Sequence, residues 1–261
     1  SAFKQFLSQT QSITDLEVER NQAALRIADA QYSSGQFSMA ISSYESVAKS
    51  QPQAAAYAEF NKAMAYGLNG NTAKKIGILK SFTSRFPRHN YLSKVYLELG
   101  LSEAAQENSP QAIAYYNRLI TEFPTSDLVP QAMLRKGLLL FNTSETDASL
   151  KTFQDLVTRF PKSASFSQAV SAAKRIYIDQ GRLSDYRKWV AQLNLPQESE
   201  TSLETQTYDQ LNRTLSSLDV EAQMNRFEQY LKDFPNGANA LSVSYNLALL
   251  YTQTAQDNKA F

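Results

Sequence analysis

Four Phe-Pro pairs recur along the sequence at a fixed interval, and this interval constrains the fold more than any other feature. They are Phe86-Pro87, Phe123-Pro124, Phe160-Pro161 and Phe234-Pro235. Successive pairs lie 37, 37 and 74 residues apart, and 74 is twice 37. Each pair ends an amphipathic stretch such as YYNRLITEF, and proline cannot continue a helix. A fixed period of about 20 to 50 residues is typical of a repeat array, in which each unit packs on its neighbours.

Apolar residues recur at steps of three and four between these stops, which predicts helices. Each repeat is expected to hold two helices, with Gly35, Gly70 and Gly181 in the turn between them, because helix ends often need a left-handed residue. First helices are predicted at 15–33, 54–68, 91–106, 128–141, 165–180, 203–216 and 238–254. Second helices are predicted at 37–50, 72–86, 110–123, 145–160, 183–193 and 220–234. The repeats then fall near 15–52, 54–87, 90–124, 127–161, 163–196, 201–235 and 236–261.

A second period supports this register. A residue in the middle of each first helix recurs at steps of 35 and then 37, and it is Ala or Gly in five of seven repeats. These residues are Ala28, Ala63, Gly100, Gly137, Lys174, Leu211 and Ala248. Sixteen residues later stands a bulky residue, in turn Tyr44, Leu79, Tyr116, Phe153 and, two repeats on, Phe227. We expect the small residue to let the two helices approach closely and the bulky one to fill the remaining space.

This pattern resembles the tetratricopeptide repeat. The third repeat carries the motif best, with Tyr96, Leu99-Gly100, Ala112, Tyr116 and Pro124. The resemblance implies an all-α fold: a right-handed α-solenoid of about six and a half helix pairs, with a period of 35–37 residues, spanning 1–261 as a single solenoid. The last repeat stops at Ala260-Phe261, where its second helix should begin, so we expect a longer natural protein of which this is a fragment.

The residues that usually carry chemistry are scarce. The chain has no cysteine, and its single histidine, His89, falls in the loop after a Phe-Pro stop, where a capping or solvated role is expected. No Gly-rich phosphate loop or metal-ligand spacing is present, so we predict no catalytic residue, no metal site and no cofactor. A net charge of +1 with both signs dispersed argues against a nucleic-acid partner. The sequence has no run of 18 apolar residues, so we predict no transmembrane segment in it.

The remaining candidate is a surface. The resemblance implies a concave face lined by the first helices. Its groove positions lie three residues before and one residue after the small residue, and its outer positions lie six before and four after it. Repeats two to four place on it Tyr57, Phe60, Met64, Leu97, Leu101, Leu134, Leu138 and Phe141. One interpretation is that these side chains pack between neighbouring first helices as core. The other is that the aromatic and Met side chains stay partly open and bind a protein or peptide partner.

We therefore expect a non-enzymatic scaffold that binds a protein or peptide through its concave face. One alternative is a structural spacer or self-associating segment of a larger envelope protein, acting as a homo-oligomer. Another is the accessory domain of an enzyme whose catalytic part lies elsewhere. The Phe-Pro-x-Ser junction at Phe160–Ser163 is similar to repeats of bacterial envelope proteins, namely the outer-membrane assembly lipoprotein and the periplasmic protein that works with Tol-Pal. This implies a periplasmic or outer-membrane-associated location, with the cytoplasm as the alternative.

Overall fold

The computed structural model describes residues 2–11, 16–193, 195–196 and 198–257, and these residues form α-helices joined by short turns, with no strand among them. The chain divides into two compact units, unit 1 (Ser1–Ser144) and unit 2 (Glu145–Phe261). The helices of unit 1 are α1 (Ala2–Gln9), α2 (Glu17–Ser33), α3 (Phe37–Ser50), α4 (Ala55–Leu68), α5 (Thr72–Arg85), α6 (Leu92–Ala105), α7 (Ser109–Glu122) and α8 (Val129–Asn142). Those of unit 2 are α9 (Thr146–Arg159), α10 (Phe166–Asp179), α11 (Leu183–Gln192), α12 (Glu200–Thr214), α13 (Val220–Asp233) and α14 (Ala240–Asp257).

The predicted all-α class of helix pairs is confirmed, and the predicted helix ends within the described residues differ from the observed ones by at most three residues. Two predicted ends lie outside the described residues: the start of the first helix at Asp15 and the end of the last repeat at Ala260-Phe261. The segment Ala2–Gln9, which precedes the first predicted helix, is also helical. The proposal of one uninterrupted solenoid stays a prediction.

The four Phe-Pro stops share one backbone geometry. The phenylalanine φ and ψ angles are −130° and 56° at Phe86, −131° and 56° at Phe123, −132° and 57° at Phe160, and −136° and 64° at Phe234. The residue before a proline is disfavoured in the helical region, so each phenylalanine leaves the helix there. Its carbonyl then accepts the N–H of the residue three positions on, at 3.0–3.2 Å. The stop is therefore a local structure that the dipeptide itself specifies.

The turns inside the helix pairs also repeat. A left-handed residue stands at Gly35 (φ 75°), Gly70 (82°), Glu107 (59°), Ser144 (65°) and Gly181 (67°), at steps of 35 and then 37 residues. After Gly35, Gly70, Glu107 and Gly181, the N–H of the next residue reaches back to the carbonyl five residues before it, for example Asn108 to Glu103 at 2.9 Å. This backbone bond is the Schellman pattern that satisfies helix C-termini. Glycine was predicted at three of these turns, and the other two hold residues with a side chain.

Within unit 1, each helix packs on the next along the chain, from α1 on α2 to α7 on α8. The bulky positions Tyr44, Leu79 and Tyr116 are at most 1% exposed. A Cβ placed on Gly100 would lie 2.4 Å from Cε1 of Tyr116. The Tyr116 ring therefore lies against bare backbone of α6, which confirms the expected contact between the small and the bulky residue in the third repeat.

The fifth repeat, in unit 2, packs differently. Lys174 stands where other repeats have a small residue, and its ammonium pairs with Glu198 at 2.6 Å. The helix α11 that follows α10 has only 10 residues. Tyr177, Tyr186 and Trp189 fill the space between these helices, with ring centroids 6.0–6.4 Å apart. Three aromatic side chains thus form the contact that a small and a bulky residue make elsewhere.

A buried carboxylate fixes the junction after α13. Oε1 of Glu204 accepts the Tyr230 hydroxyl at 2.8 Å and the backbone N–H of Asn239 at 2.9 Å. The backbone hydrogen bond from Asn239, followed by that from Tyr230, lowers the pKa of Glu204. A Cβ on Gly237 would lie 2.6 Å from the same oxygen, so only glycine leaves room for the carboxylate. The sequence analysis did not predict these two hydrogen bonds, whose donors Tyr230 and Asn239 lie 26 and 35 positions from Glu204.

We predict that Gly100→Leu lowers the free energy of unfolding by about 1–3 kcal/mol, because the added side chain must displace Tyr116 from a filled interface. Gly77 is the matched control, since it lies within a helix but no atom lies within 4 Å of its Cβ position. Gly77→Leu should stabilise the chain by about 0.5–1 kcal/mol through helix propensity. Urea denaturation followed by circular dichroism measures both. Equal effects of the two substitutions would refute the close contact at Gly100.

We predict that Glu107→Gly stabilises the chain by about 0.5–1 kcal/mol. A non-glycine residue in the left-handed region costs about 1–2 kcal/mol, and glycine removes this cost. About 0.5–1 kcal/mol of the benefit is lost again, because glycine gives the unfolded chain more backbone entropy. Glu107→Ala removes the same side chain but keeps the strain, so its urea midpoint should not rise. A rise of the same size in both variants would show that the side chain, and not the backbone angle, is responsible.

Candidate functional site

We call the side of unit 1 that carries the eight predicted contact residues the first-helix face; these residues lie on α4, α6 and α8. Leu97 and Leu134 are buried, at 6% and 5% exposure, so they belong to the packing between helices. Leu138 is exposed at 37%. The other five, Tyr57, Phe60, Met64, Leu101 and Phe141, are partly exposed. The structure thus places two of the eight in the core and leaves six at least partly accessible.

A carboxylate organises one end of this face. Oδ1 of Asp29 on α2 accepts the hydroxyl of Tyr44 at 2.8 Å and that of Tyr57 at 2.9 Å, and so joins α2, α3 and α4. The Tyr44 and Tyr57 rings meet edge to face, 6.4 Å between centroids. Tyr57 was predicted to contact a bound protein or peptide, but its hydroxyl is already hydrogen-bonded to Asp29 within the chain. The sequence did offer a signal for this contact. Asp29 is a carboxylate at the position that holds Met64, Leu101 and Leu138 in the next three repeats.

The aromatic contacts continue to the start of α6. The Tyr91 ring lies 6.3 Å from Tyr57 and 5.3 Å from Phe60, and the ammonium of Lys94 lies 5.1 Å from the Tyr91 centroid. The backbone N–H of Tyr91 donates to Nδ1 of His89 at 3.2 Å. The single histidine therefore caps a loop. Phe60 is held from one side by Tyr91, which gives it a fixed orientation on the face.

An ion pair lies beside the apolar residues. Lys75 occupies the position that is alanine in the first and third repeats, and its ammonium contacts Glu98 at 2.7 Å. Both side chains are mostly buried, at 13% and 22% exposure. A Cβ on Gly67 would lie 2.8 Å from Cδ of Lys75, so glycine makes room for the lysine stem. Removal of one charge from such a pair leaves the other without compensation, so we infer that the pair is structural.

The corresponding side of α10 and α12 in unit 2 is largely polar. A cleft of about 370 Å³ there is lined by Ser171, Lys174, Arg175, Ile178, Gln206, Asp209, Gln210 and Arg213. Its charges are partly paired within the unit, as in the Lys174–Glu198 contact. In unit 2 the exposed apolar groove residues are Tyr245 and Leu249 on α14, whereas in unit 1 such residues lie on three successive first helices. The first-helix face of unit 1 is therefore the stronger candidate for binding an apolar ligand.

In the part of the chain that the structure describes, no three His, Cys, Asp or Glu side chains are placed to hold a metal ion. None of the described helices has the length and apolar character needed to cross a bilayer.

Helix pairs that repeat every 35–37 residues, with recurrent stops and turns, define an all-α solenoid protein. Profiles of the tetratricopeptide repeat match residues 22–54 and 97–164. The chain therefore contains tetratricopeptide repeats in these two segments. No curated protein matches the sequence.

Solved structures with similar folds include several helical repeat proteins. A tetratricopeptide repeat protein from Parabacteroides merdae has a TM-score of 0.53 at 16% identity, covering 95% of this chain and 90% of its own. A MamA structure has a TM-score of 0.53 at 19% identity, covering 69% of this chain and 98% of its own. YrrB, described as a TPR protein with an unusual peptide-binding site, has a TM-score of 0.50 at 14% identity, covering 94% and 98%. At these identities the likeness concerns the fold.

Alkaline pH is predicted to unfold the helices that carry the first-helix face. Burial is the main reason that the pKa of Tyr57 and of Tyr116 rises to about 12. Above about pH 10 the unfolded chain releases these protons while the folded chain retains them. The stabilisation is complete below about pH 10 and is lost as the pH rises toward 12. Helical circular dichroism should fall, and phenolate absorbance should appear, in the same step.

Tyr116→Phe tests this cause, because it keeps the ring against Gly100 but removes the ionisable hydroxyl. We expect its alkaline transition to move to higher pH. Tyr245→Phe alters an exposed tyrosine and should leave the transition in place. Identical transitions in all three proteins would contradict the assignment to buried tyrosines.

Proposed function

We propose that the chain is a non-enzymatic scaffold that binds a protein or peptide partner through the first-helix face of unit 1. The observation that carries this proposal is the set of apolar side chains left partly accessible on successive first helices. These are Phe60 and Met64 on α4, Leu101 on α6, and Leu138 and Phe141 on α8. Aromatic, Met and Leu side chains aligned on one face provide the apolar centre that protein interfaces use.

The chemistry of the face indicates the kind of ligand. Its apolar residues come from three consecutive first helices, so a ligand that spans them must present apolar groups at regular intervals. An amphipathic helix or an extended peptide does this. Lys94 is exposed beside Tyr91, whereas the nearby Glu98 is already paired with Lys75, so the apolar contacts rather than the charges define the ligand. The peptide-binding site of the structurally similar YrrB supports the same class of ligand.

Location is a separate part of the proposal. The Phe-Pro-x-Ser junction resembles repeats of bacterial envelope proteins, and on that resemblance we propose a location in the periplasm or at the outer membrane. The partner would then be an envelope protein or an exported peptide.

Binding can be tested before the natural partner is identified. A displayed library of random peptides is selected on the 261-residue chain, and the dissociation constant of each enriched peptide is measured by calorimetry. We expect Phe60→Ala and Phe141→Ala each to weaken binding about tenfold or more, since truncation of a central apolar contact typically costs more than about 1 kcal/mol.

Met39→Ala is the control, because Met39 is an exposed apolar residue on the second helix α3. It should bind the selected peptides with unchanged affinity. Enriched peptides that bind both phenylalanine variants normally, or a selection that enriches no peptide, would refute the proposed face.

A further inference from the structure

Met64 differs in chemistry from the residues at the same position of the next two repeats. The position directly after the small residue holds Leu101 in the third repeat and Leu138 in the fourth, and both side chains are hydrocarbons. Met64 is also apolar, but its thioether sulfur can be oxidised to a polar sulfoxide. Among its eight predicted contact residues, the first-helix face therefore contains one whose polarity a chemical reaction can change.

The four methionines of the chain differ in their exposure to solvent. Met39 on α3 is exposed at 48%, Met64 and Met224 are partly exposed, and Met133 on α8 is only 3% exposed. The chain has no cysteine, whose sulfur would compete for an oxidant. Of the three methionines that solvent reaches, Met64 is the one that lies on the first-helix face.

The surroundings of Met64 make a sulfoxide costly when a ligand covers it. Phe60 lies one turn earlier on α4, and side chains four residues apart on a helix are neighbours. The side chain of Asn61, three residues earlier, already donates to the carbonyl of Tyr57 at 2.9 Å. A sulfoxide oxygen at Met64 would exchange its bound water for the apolar groups of a ligand, and a polar group buried without a hydrogen bond is unfavourable.

The fold itself should tolerate a polar group at this position. Other repeats hold Asp29, Arg175 and Asn212 directly after the small residue, so a polar side chain there is compatible with the helix pair. Met64 is also partly exposed in the free chain, so its sulfoxide oxygen can remain hydrated. Oxidation should therefore change ligand binding without unfolding α4.

We propose that Met64 is an oxidation site that controls binding at the first-helix face: the thioether form binds the apolar ligand, and the sulfoxide form releases it. This inference rests on the proposed function, because it concerns the same face. Hydrogen peroxide transfers one oxygen atom to the sulfur, so that the O–O bond breaks and an S–O bond forms. The sulfur is oxidised by two electrons and the peroxide is reduced to water.

The change is reversible by a second reaction. A methionine sulfoxide reductase breaks the S–O bond and releases the oxygen as water, while two thiols are oxidised to a disulfide. One enzyme acts on each of the two sulfoxide epimers. The face can thereby return to the form that binds the ligand.

The test uses the 261-residue chain and peptides selected on it from a displayed random library. Limited treatment with hydrogen peroxide is followed by mass spectrometry of tryptic fragments, in which Met39 and Met64 should be oxidised and Met133 should not. The dissociation constants of the selected peptides should then rise about tenfold or more, the size expected for an unpartnered polar group in an apolar contact. Circular dichroism should stay the same, and the two sulfoxide reductases together should restore the original affinity.

Substitutions assign the effect to one sulfur. The measured quantity is the ratio of the dissociation constants after and before peroxide treatment. This ratio should be about one in Met64→Leu, because leucine is not oxidised. It should equal that of the unaltered chain when Met39→Leu and Met224→Leu are combined, because Met64 then remains as the accessible methionine. Met64→Gln, which carries a carbonyl oxygen on a side chain of similar length, should weaken binding without any oxidant.

The outcomes separate this inference from the proposed function. A selection that enriches no peptide, or peptides that bind Phe60→Ala normally, would refute the proposed face and this inference with it. Three other outcomes would overturn the oxidation site alone. They are unchanged affinity after Met64 is oxidised, a Met64 as resistant to peroxide as Met133, and a loss of affinity that Met64→Leu does not prevent.

Discussion

The contact between a small residue on one helix and a bulky residue on the next is the constraint on which the rest of the structure depends. At Gly100 the Tyr116 ring lies so close that even one methyl group would collide with it. Because this contact fixes how closely the helices of a pair approach, it also fixes where the following turn and stop must fall. The 37-residue period of the Phe-Pro pairs agrees with this packing, although the fifth repeat keeps the period with Tyr177, Tyr186 and Trp189 in place of a small and a bulky residue.

Features that depend on a few neighbouring residues were predictable from the sequence. The helices follow from apolar periodicity, and the stops follow from the effect of proline on the preceding phenylalanine. Left-handed turns were predicted only where glycine marks them, since Glu107 and Ser144 carry no such signal. The Asp29 and Glu204 hydrogen bonds join residues 15 to 35 positions apart, so no local pattern reveals them. The burial of Leu97 beside the exposure of Leu138 likewise depends on neighbouring helices.

The first-helix face divides its apolar residues between buried and accessible positions. Leu97 and Leu134 are buried in helix packing, whereas Leu101 and Leu138, four residues further along the same helices, remain accessible. The Asp29 carboxylate and the Tyr91 ring hold Tyr57 and Phe60 in place. A ligand that meets such preordered side chains loses less conformational entropy on the protein side, which favours affinity from a small contact area.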